Sequence, residues 1–484
     1  MAALVWQLDA LRTGLSRTAG RRGFAFGWLF AVAWLCGIFW WLFISMHTYG
    51  GLPAPLAMLA VLALAAALGL YYAAACAAFV AWAPPDSWPA RALFFSALWT
   101  LAELLRGHWF TGFPWGAIGY AHVEGPLALL APLVGVYGIG AVAAFVGAAI
   151  AQCVRLDYGR RLAWLAPAAL VLVLGAGFVV ARPGPDAAVP NGAVAPQRLE
   201  VALLQGNIPQ DEKFIPGGGV ATALEWYGTQ LRDATASLVV TPETAVPLLP
   251  SQLPPGYLEA IAARYVGGSQ AAIVGLPMGD RRGYTNTVLG FRPAAADVYR
   301  YDKHHLVPFG EFVPGLFRWF TAMMNIPLAD FRSGGLAQPT FDWQGQRIAP
   351  NICYEDLFGE EIGAGFRDAA TAPTILLNVS NIAWFGDSIA IDQHLAISRM
   401  RALEFQRPMV RATNTGATVV IDHRGRVTDA LPRLTRGVLV AGVEGRSDSV
   451  TPYGRWVSRV GLWPLWIGAL LVIGVTVLLQ RRRP

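Results

Sequence analysis

Charged side chains are few: Asp, Glu, Lys and Arg make up 14% of the 484 residues, against 55% hydrophobic ones. With a mean hydropathy of +0.44, the chain is too apolar to be purely soluble, so part of it lies in lipid. Cysteine is also rare. Of the four, Cys36, Cys76 and Cys153 fall in long uncharged runs, which leaves Cys353 alone in the more polar part and excludes a disulfide framework there. CxxC, HExxH and any His/Cys cluster with ligand spacing are missing, so the sequence predicts no metal and no other cofactor. The formal charge of +6 raises the question of nucleic acid. Its basic residues stand beside apolar runs, however, and not on a separate face with interleaved aromatics, so nucleic acid is not an expected partner.

What is present is a set of runs near bilayer length. About 20 apolar residues in helical form cross the hydrocarbon, because each rises roughly 1.5 Å. Six runs meet or approach that length: 24–46, 53–82, 92–109 (apolar apart from Glu103 and Arg106), 126–154, 162–181 and 461–480. The first is too long, and too far from the start, for a cleavable signal peptide. Arg12, Arg17, Arg21 and Arg22 precede the first run, Arg91 follows the second, Arg155, Arg160 and Arg161 follow the fourth, and Arg481 to Arg483 close the chain. Lys and Arg are absent from 47–52 and 110–125. Basic loops stay cytoplasmic, so both termini are expected inside and residues 182–460 outside. Trp109, Phe110, Phe113 and Trp115 suit an interfacial aromatic belt, and Glu103 and Arg106, three residues apart, are expected to pair.

The domain plan is therefore a membrane helical bundle over 1–181, an extracytoplasmic α/β domain over 182–460, and a last span with a basic tail over 461–484. A Pro/Gly/Ala linker at 182–196 opens the outer domain. Short β-branched runs predict strands at 199–206, 237–241, 271–276, 285–292, 298–303, 347–353, 374–379, 409–413, 417–422 and 437–443. Helical patterns at 219–235, 256–265, 356–368 and 388–406 separate several of them, which argues for layered α/β architecture.

Three residues of the outer domain at the ends of strand-like runs could carry chemistry. Cys353 begins Cys-Tyr-Glu-Asp just after a strand, where a nucleophile would project and the next N–H groups could bind an oxyanion; equally, free cysteine is often an inert buried thiol. Glu243 could be a general base, or a first-turn acid with Thr241 as N-cap and Pro242 at the first helical position. Lys303, on its own, reads as a solvated edge charge. His304 and His305 would point to opposite faces of a strand and cannot chelate one ion together.

The set resembles the nitrilase superfamily, whose sites use a Glu-Lys-Cys triad on an α-β-β-α sandwich, and within it the apolipoprotein N-acyltransferase family. The matching words are Gln205-Gly-Asn-Ile-Pro-Gln210, Tyr301-Asp-Lys-His-His-Leu-Val-Pro-Phe-Gly-Glu311, Cys353-Tyr-Glu355, Ala383-Trp-Phe-Gly386, Arg399-Met-Arg-Ala-Leu-Glu404 and Arg411-Ala-Thr-Asn414, with Leu105-Arg-Gly107 and Thr111-Gly-Phe-Pro-Trp115 in the membrane part. They cover almost the whole chain in order. The family has additional helices ahead of the run that starts here at Phe24; a shortened form or a later start accounts for that. Phe214 stands where the family often has tryptophan, and Ile382 where it often has aspartate.

The resemblance implies an acyltransferase in which Cys353 is acylated by a phospholipid and Glu243 moves protons. Lys303 and the Tyr354 N–H bind the oxyanion, and the acyl group passes to a diacylated apolipoprotein. It also implies that Glu311 holds Lys303, that Tyr354, Glu355 and Asn286 support the site, and that Phe214, Trp384 and Phe385 contact acyl chains as a lid. Taken residue by residue, Glu311 could be a helix-start acid, Glu355 a cap, Asn286 a turn residue and the aromatics ordinary core. Substrates and membrane lipids are the expected partners of a monomer. Competing readings are a membrane-tethered amidase with the same triad, and a multi-span receptor or transporter, for which polar residues along the spans are scarce.

Overall fold

The computed structural model describes residues 1–13, 18–85, 87–153, 198–280, 283–295, 297–313 and 331–482; the expected span 162–181 and the linker 182–196 lie outside them. The chain divides into two compact units, Met1–Trp40, Pro55–Ala188 and Val460–Pro484 forming one, Trp41–Ala54 and Val189–Arg459 the other.

Among the described residues of the first unit, four helices are long and apolar enough to cross a membrane: Ala19–Phe39, Ala54–Trp82, Pro126–Cys153 and Trp463–Arg481. The expected span 92–109 lies on the helix Trp88–His108, which is not among the four; Arg91, Glu103 and Arg106 dilute its hydrophobicity, and both Glu103 and Arg106 are buried. The first helix ends at Phe39, short of the expected 46, and Trp41–Ala54 belongs instead to the second unit. Gly23 and Gly27, one turn apart, let the first helix approach Ala54–Trp82 closely. A methyl group at Gly27 would lie 2.5 Å from Cys76 Cβ, the small-residue packing that lipid-embedded helices use in place of a hydrophobic drive. Glu103 and Arg106 hold backbone: Glu103 Oε1 accepts from the Ile118 N–H at 2.9 Å, and Arg106 donates to the carbonyls of Phe113 at 2.7 Å and Trp115 at 2.8 Å. Their buried charges thus shape the aromatic connector that follows their helix.

The second unit is a two-sheet sandwich. Its strands are β1 (Arg198–Gln205), β2 (Leu238–Val240), β3 (Ala271–Asp280), β4 (Gly283–Phe291), β5 (Tyr299–Asp302), β6 (Phe341–Trp343), β7 (Gln346–Ile352), β8 (Ile375–Ser380), β9 (Met409–Thr413), β10 (Val419–Ile421), β11 (Val427–Ala430) and β12 (Gly437–Glu444). One sheet has the order β12-β1-β2-β3-β4-β5 and the other β11-β10-β9-β8-β7-β6. In the first, β1, β2 and β3 run parallel; in the second, β7, β8 and β9 do. The carboxyl ends of these parallel strands are where open α/β sheets place ligands.

Side chains alternate across each strand and so sort into layers. Leu199, Val201 and Leu203 of β1, Leu238 and Val240 of β2, and Ile273 of β3 meet Ile375, Leu377, Val379, Val410 and Ala412 between the sheets. Ala202, Leu204, Val239, Ala272 and Val274 face the other way and pack on Ala223, Tyr227 and Leu231 of the helix Gly219–Asp233 and on Ile261 and Tyr265 of Tyr257–Val266. The helix Ile389–Phe405 contacts β9, which completes the four-layer α-β-β-α order. Leu377 is fully buried between the sheets, so Leu377→Ala is expected to cost about 2–5 kcal/mol, read as a lowered thermal midpoint of detergent-solubilised protein.

Each of the expected strands appears, with ends shifted by at most four residues. The short edge strands β6 and β11, three and four residues long, and the helix Pro452–Val460 were not expected. The helix expected at 356–368 is broken into the 3₁₀ turn Cys353–Leu357, the helix Gly359–Gly363 and a further 3₁₀ turn. No helix starts at Thr241: its hydroxyl accepts from the Gly275 N–H at 2.9 Å, tying the turn after β2 to β3, so the N-cap reading of Thr241-Pro-Glu243 is set aside.

Candidate active site

Glu243 lies in the turn after β2, almost wholly buried, and all of its carboxylate is engaged. Oε1 accepts from Asn286 Nδ2 at 2.7 Å and Lys303 Nζ at 3.3 Å, and Oε2 from the Asn381 N–H at 2.8 Å. Lys303 follows β5; its Nζ is also 2.9 Å from Glu311. Glu311 accepts from Asn286 Nδ2 at 2.8 Å and from the Val307 N–H at 2.8 Å. Asn286 is in the middle of β4, opposite Pro277, and is not a turn residue: its amide spans two carboxylates that would otherwise repel. Glu311 likewise holds Lys303 and starts no helix among the described residues.

Cys353 is the first residue beyond β7 and has φ +55°, a left-handed conformation uncommon for a side chain with a Cβ and typical of strained functional turns. Its Sγ accepts from the Ser380 hydroxyl at 3.3 Å. Its carbonyl accepts from Asn378 Nδ2 at 3.2 Å and has His394 Nε2 at 3.2 Å. Ser380 ends β8 and Asn381, next in sequence, grips Glu243. The two sheets therefore bring Cys353 and Glu243 to one place through adjacent residues at the end of β8.

The electrostatics decide where the proton sits between Glu243 and Cys353. Burial alone would raise Glu243, but Lys303, Lys213, Asn286 and the Asn381 N–H outweigh it and hold the carboxyl below its ordinary range. Burial works against the Lys303 ammonium too, yet Glu311 and Glu243 raise its pKa. Burial, then the Glu243 charge, push the Cys353 thiol up to about 12 against the opposing pull of Lys303 and Ser380. The resting site therefore holds an ionised carboxylate, an ammonium and a neutral thiol.

Lys213, which sequence reasoning passed over, contributes a second buried ammonium. Its Nζ donates to the Glu243 carbonyl at 3.3 Å, and burial lowers its pKa to about 8 despite the charges of Glu243 and Cys353. The only signal was its place three residues beyond Gln210. Gln210 and Asn414, quoted above only as matching words, form the seam between sheets: Asn414 Oδ1 accepts from the Ile208 N–H at 3.0 Å, its Nδ2 donates to Asn381 Oδ1 at 3.1 Å, and Asn381 Nδ2 donates to Gln210 Oε1 at 2.8 Å.

Glu355 is a clamp as well as a cap. It accepts from the Ile352 N–H at the end of β7, from the N–H groups of His304 at 2.6 Å and His305 at 3.2 Å, and from the Tyr301 hydroxyl at 3.0 Å, so the lysine loop and the cysteine turn share one carboxylate. Burial raises it to about 7, against the pull of those N–H groups and Lys303. Tyr354 is buried against Phe358 and His305. Of the expected lid, Phe214 and Trp384 line one cleft with Tyr49, Gln210 and Asp211, while Phe385 packs on Trp41 at 4.3 Å between ring centroids.

A turn-borne thiol facing a carboxylate and an ammonium on paired sheets defines a class, and the sequence of the unit agrees: residues 200–450 match the carbon-nitrogen hydrolase family. Residues 1–149 match the apolipoprotein N-acyltransferase N-terminal domain. The chain is 58% identical over 476 residues to an apolipoprotein N-acyltransferase of Verminephrobacter eiseniae, covering 96% of this chain and 87% of that one. It is 46% identical to one of Ralstonia nicotianae, covering 100% and 88%. Among solved structures it resembles XC1258 of Xanthomonas campestris, a CN-hydrolase superfamily protein, at 21% identity and a TM-score of 0.40 over 51% of this chain and 91% of that one. The chain belongs to the apolipoprotein N-acyltransferase family.

Proposed function

We propose that the protein transfers a fatty acyl group from the sn-1 position of a phospholipid, through a thioester on Cys353, to the α-amino group of an S-diacylglyceryl-cysteine at a lipoprotein amino terminus. The observation that carries this reading is the convergence of Glu243 and Lys303, 3.3 Å apart, on the Ser380-Asn381 corner that also holds Cys353.

In the first half, Glu243 takes the thiol proton as sulfur attacks the ester carbonyl, because the thiolate is the competent nucleophile. A base with a low pKa beside a thiol near 12 will not strip the proton in advance; transfer accompanies attack, as charge passes to the carbonyl oxygen. Lys303 and the Tyr354 N–H receive that charge, a role worth roughly 3–4 kcal/mol per donor. The tetrahedral adduct collapses, the lysophospholipid oxygen leaves with the proton from Glu243, and the thioester remains. In the second half the neutral α-amine attacks the thioester, Glu243 accepts its proton and returns it to the departing sulfur, and an amide forms. Glu311 and Asn286 fix Lys303 and Glu243 throughout, Tyr354 and Glu355 shape the turn, and Phe214, Trp384 and Phe385 contact acyl chains.

The reading places the protein in a bacterial cytoplasmic membrane as a monomer, multi-pass, with the α/β unit outside and both termini inside. Alternation of arginine-rich and arginine-free connectors supports that orientation. The test is intact-protein mass spectrometry after exposure to phospholipid vesicles. The expected result is an acyl adduct on Cys353 that hydroxylamine removes and a diacylated lipopeptide discharges. Glu243→Gln is expected to slow adduct formation by about 10²–10⁴-fold while leaving the thiol open to alkylation. An enzyme that releases ammonia from simple amides without ever acylating the lipopeptide would overturn the reading.

A further inference from the structure

Behind the cysteine turn lies a buried polar cluster that the chemistry above does not use. His394 and Ser398 are on the helix Ile389–Phe405, Asp356 in the 3₁₀ turn after Cys353, and Arg411 on β9; all four are at most 1% exposed. His394 Nε2 is 2.9 Å from Asp356 Oδ1 and 3.2 Å from the Cys353 carbonyl. Arg411 NH2 is 2.6 Å from His394 Nδ1, and NH1 is 3.2 Å from Asp356 Oδ2. The Ser398 hydroxyl donates to Asp356 Oδ2 at 2.5 Å.

These contacts settle the tautomer. A guanidinium has only donors, so Nδ1 of His394 must accept, and the imidazole proton is on Nε2. That N–H points at both the Asp356 carboxylate and the Cys353 carbonyl. Asp356 cannot be a second donor, since it accepts from Ser398 and Arg411. The ring is therefore fixed from behind by Arg411 and Asp356 and presents one hydrogen to the nucleophile's own backbone.

We infer that His394 is a positioning residue for the nucleophile: its Nε2–H, oriented by Arg411 and Asp356, holds the Cys353 carbonyl and so keeps the residue in the left-handed turn that aims Sγ at Glu243. The inference rests on Cys353 being the nucleophile. The physical need for it is plain in the φ of +55°: a non-glycine residue relaxes out of that region unless its neighbours over-determine it. Asn378 Nδ2 holds the same carbonyl from β8, and His394 supplies the second point that a single hydrogen bond lacks. No proton passes through His394 to the substrate.

The test compares His394→Asn with His394→Gln in the full-length protein. The shorter amide of H394N can accept from Arg411 at the place of Nδ1 but leaves the Cys353 carbonyl without this donor; the longer side chain of H394Q brings an N–H to the place of Nε2. Single-turnover formation of the Cys353 acyl adduct should fall roughly a hundredfold in H394N, the scale of a misaimed reacting atom, and return to within about tenfold of wild type in H394Q. The KM for lipopeptide and the thermal midpoint should change little. Wild-type rates in H394N, or equal loss in both variants with unchanged melting, would overturn the inference. If H394N does not fold, nitrogen-15 NMR of histidine-labelled wild-type protein decides, with the H394Q spectrum assigning the resonance: a protonated Nδ1 would refute the arrangement. Activity surviving in Cys353→Ala would instead refute the parent reading and leave the histidine geometry as it is.

Discussion

Cys353→Ala is expected to abolish both the acyl adduct and N-acylation of a diacylated lipopeptide, a loss on the order of 10⁶-fold in kcat if this site behaves like other covalent catalysts stripped of their nucleophile. The reason is that no second group can take over. Ser380 is hydrogen-bonded to the sulfur and lies on the end of β8, but a serine hydroxyl there would have to make an ester. Cys353→Ser tests the same point with the hydroxyl in place: an oxygen ester stores less acyl-transfer potential, so the variant should acylate slowly, if at all, and fail to discharge to amine. The fold should survive either change, because the sulfur accepts from the Ser380 hydroxyl and a neutral hydrogen bond contributes only about 1 kcal/mol. Cys353→Gly sharpens the separation. Removing the Cβ relieves a left-handed residue, a conformation that costs roughly 1–2 kcal/mol, so the glycine variant should match or exceed the wild-type melting temperature while inactive. Measurable turnover above about a thousandth of wild type in the alanine variant would end the thioester mechanism.

That strain was not legible in the sequence, although Cys353 itself was. A strand followed by a single polar-region cysteine marks the position, whereas the φ of +55° arises only when β7 must turn against β8. Locally complete motifs showed most clearly. The words around Gln205, Tyr301, Cys353 and Arg411 all reach one site because each lies at or just beyond a strand end of a layered sheet, the place where such sheets carry function. Interactions that depend on separate strands did not show. On its own Asn286 reads as a turn residue, an asparagine flanking a strand, and only the resemblance put it at the site; the β4 register against β3 and β5 brings its amide between Glu243 and Glu311. Lys213 stands among charges in Asp-Glu-Lys, and only burial beside the Glu243 carbonyl separates it from a solvated residue. The boundary at Phe39 was hidden for a different reason: Trp41, Leu42, Phe43 and Ile44 continue the apolar run, so composition alone could not say that Trp41 packs on Phe385 and donates to Gln393 Oε1 at 3.0 Å.

Lys303→Met should damage stability as well as rate. The lysine is 1% exposed and lies 3.3 Å from Glu243 and 2.9 Å from Glu311, and both carboxylates share the single amide of Asn286. Removing the ammonium leaves two buried acids facing each other, a loss of about 3–5 kcal/mol for an uncompensated buried charge. The site relieves this by protonating one of them. Glu243 is depressed in the wild type chiefly because Lys303 overcomes the opposing effect of burial, so in the variant its pKa must rise. The sign of the pH dependence follows. A carboxyl whose folded pKa lies below its unfolded value contributes stability that is present above the unfolded pKa and lost as pH falls through the folded one. Lys303, raised above its ordinary value, contributes stability that is complete below its unfolded pKa and lost only as pH rises through the folded one. Wild-type protein should therefore keep this contribution across the neutral range and lose the Glu243 part only in acid below the ordinary carboxylate range. In Lys303→Met the acid limb of kcat/KM should move toward neutral pH, its midpoint tracking the newly raised carboxyl, with the maximal rate down by roughly 10²–10³-fold from the lost oxyanion donor. Arginine would keep the charge but not the compact ammonium that two carboxylates enclose. A Lys303→Met enzyme with the wild-type acid limb would mean that Glu243 does not owe its ionisation to this lysine, and the coupling between base and oxyanion donor would have to be abandoned.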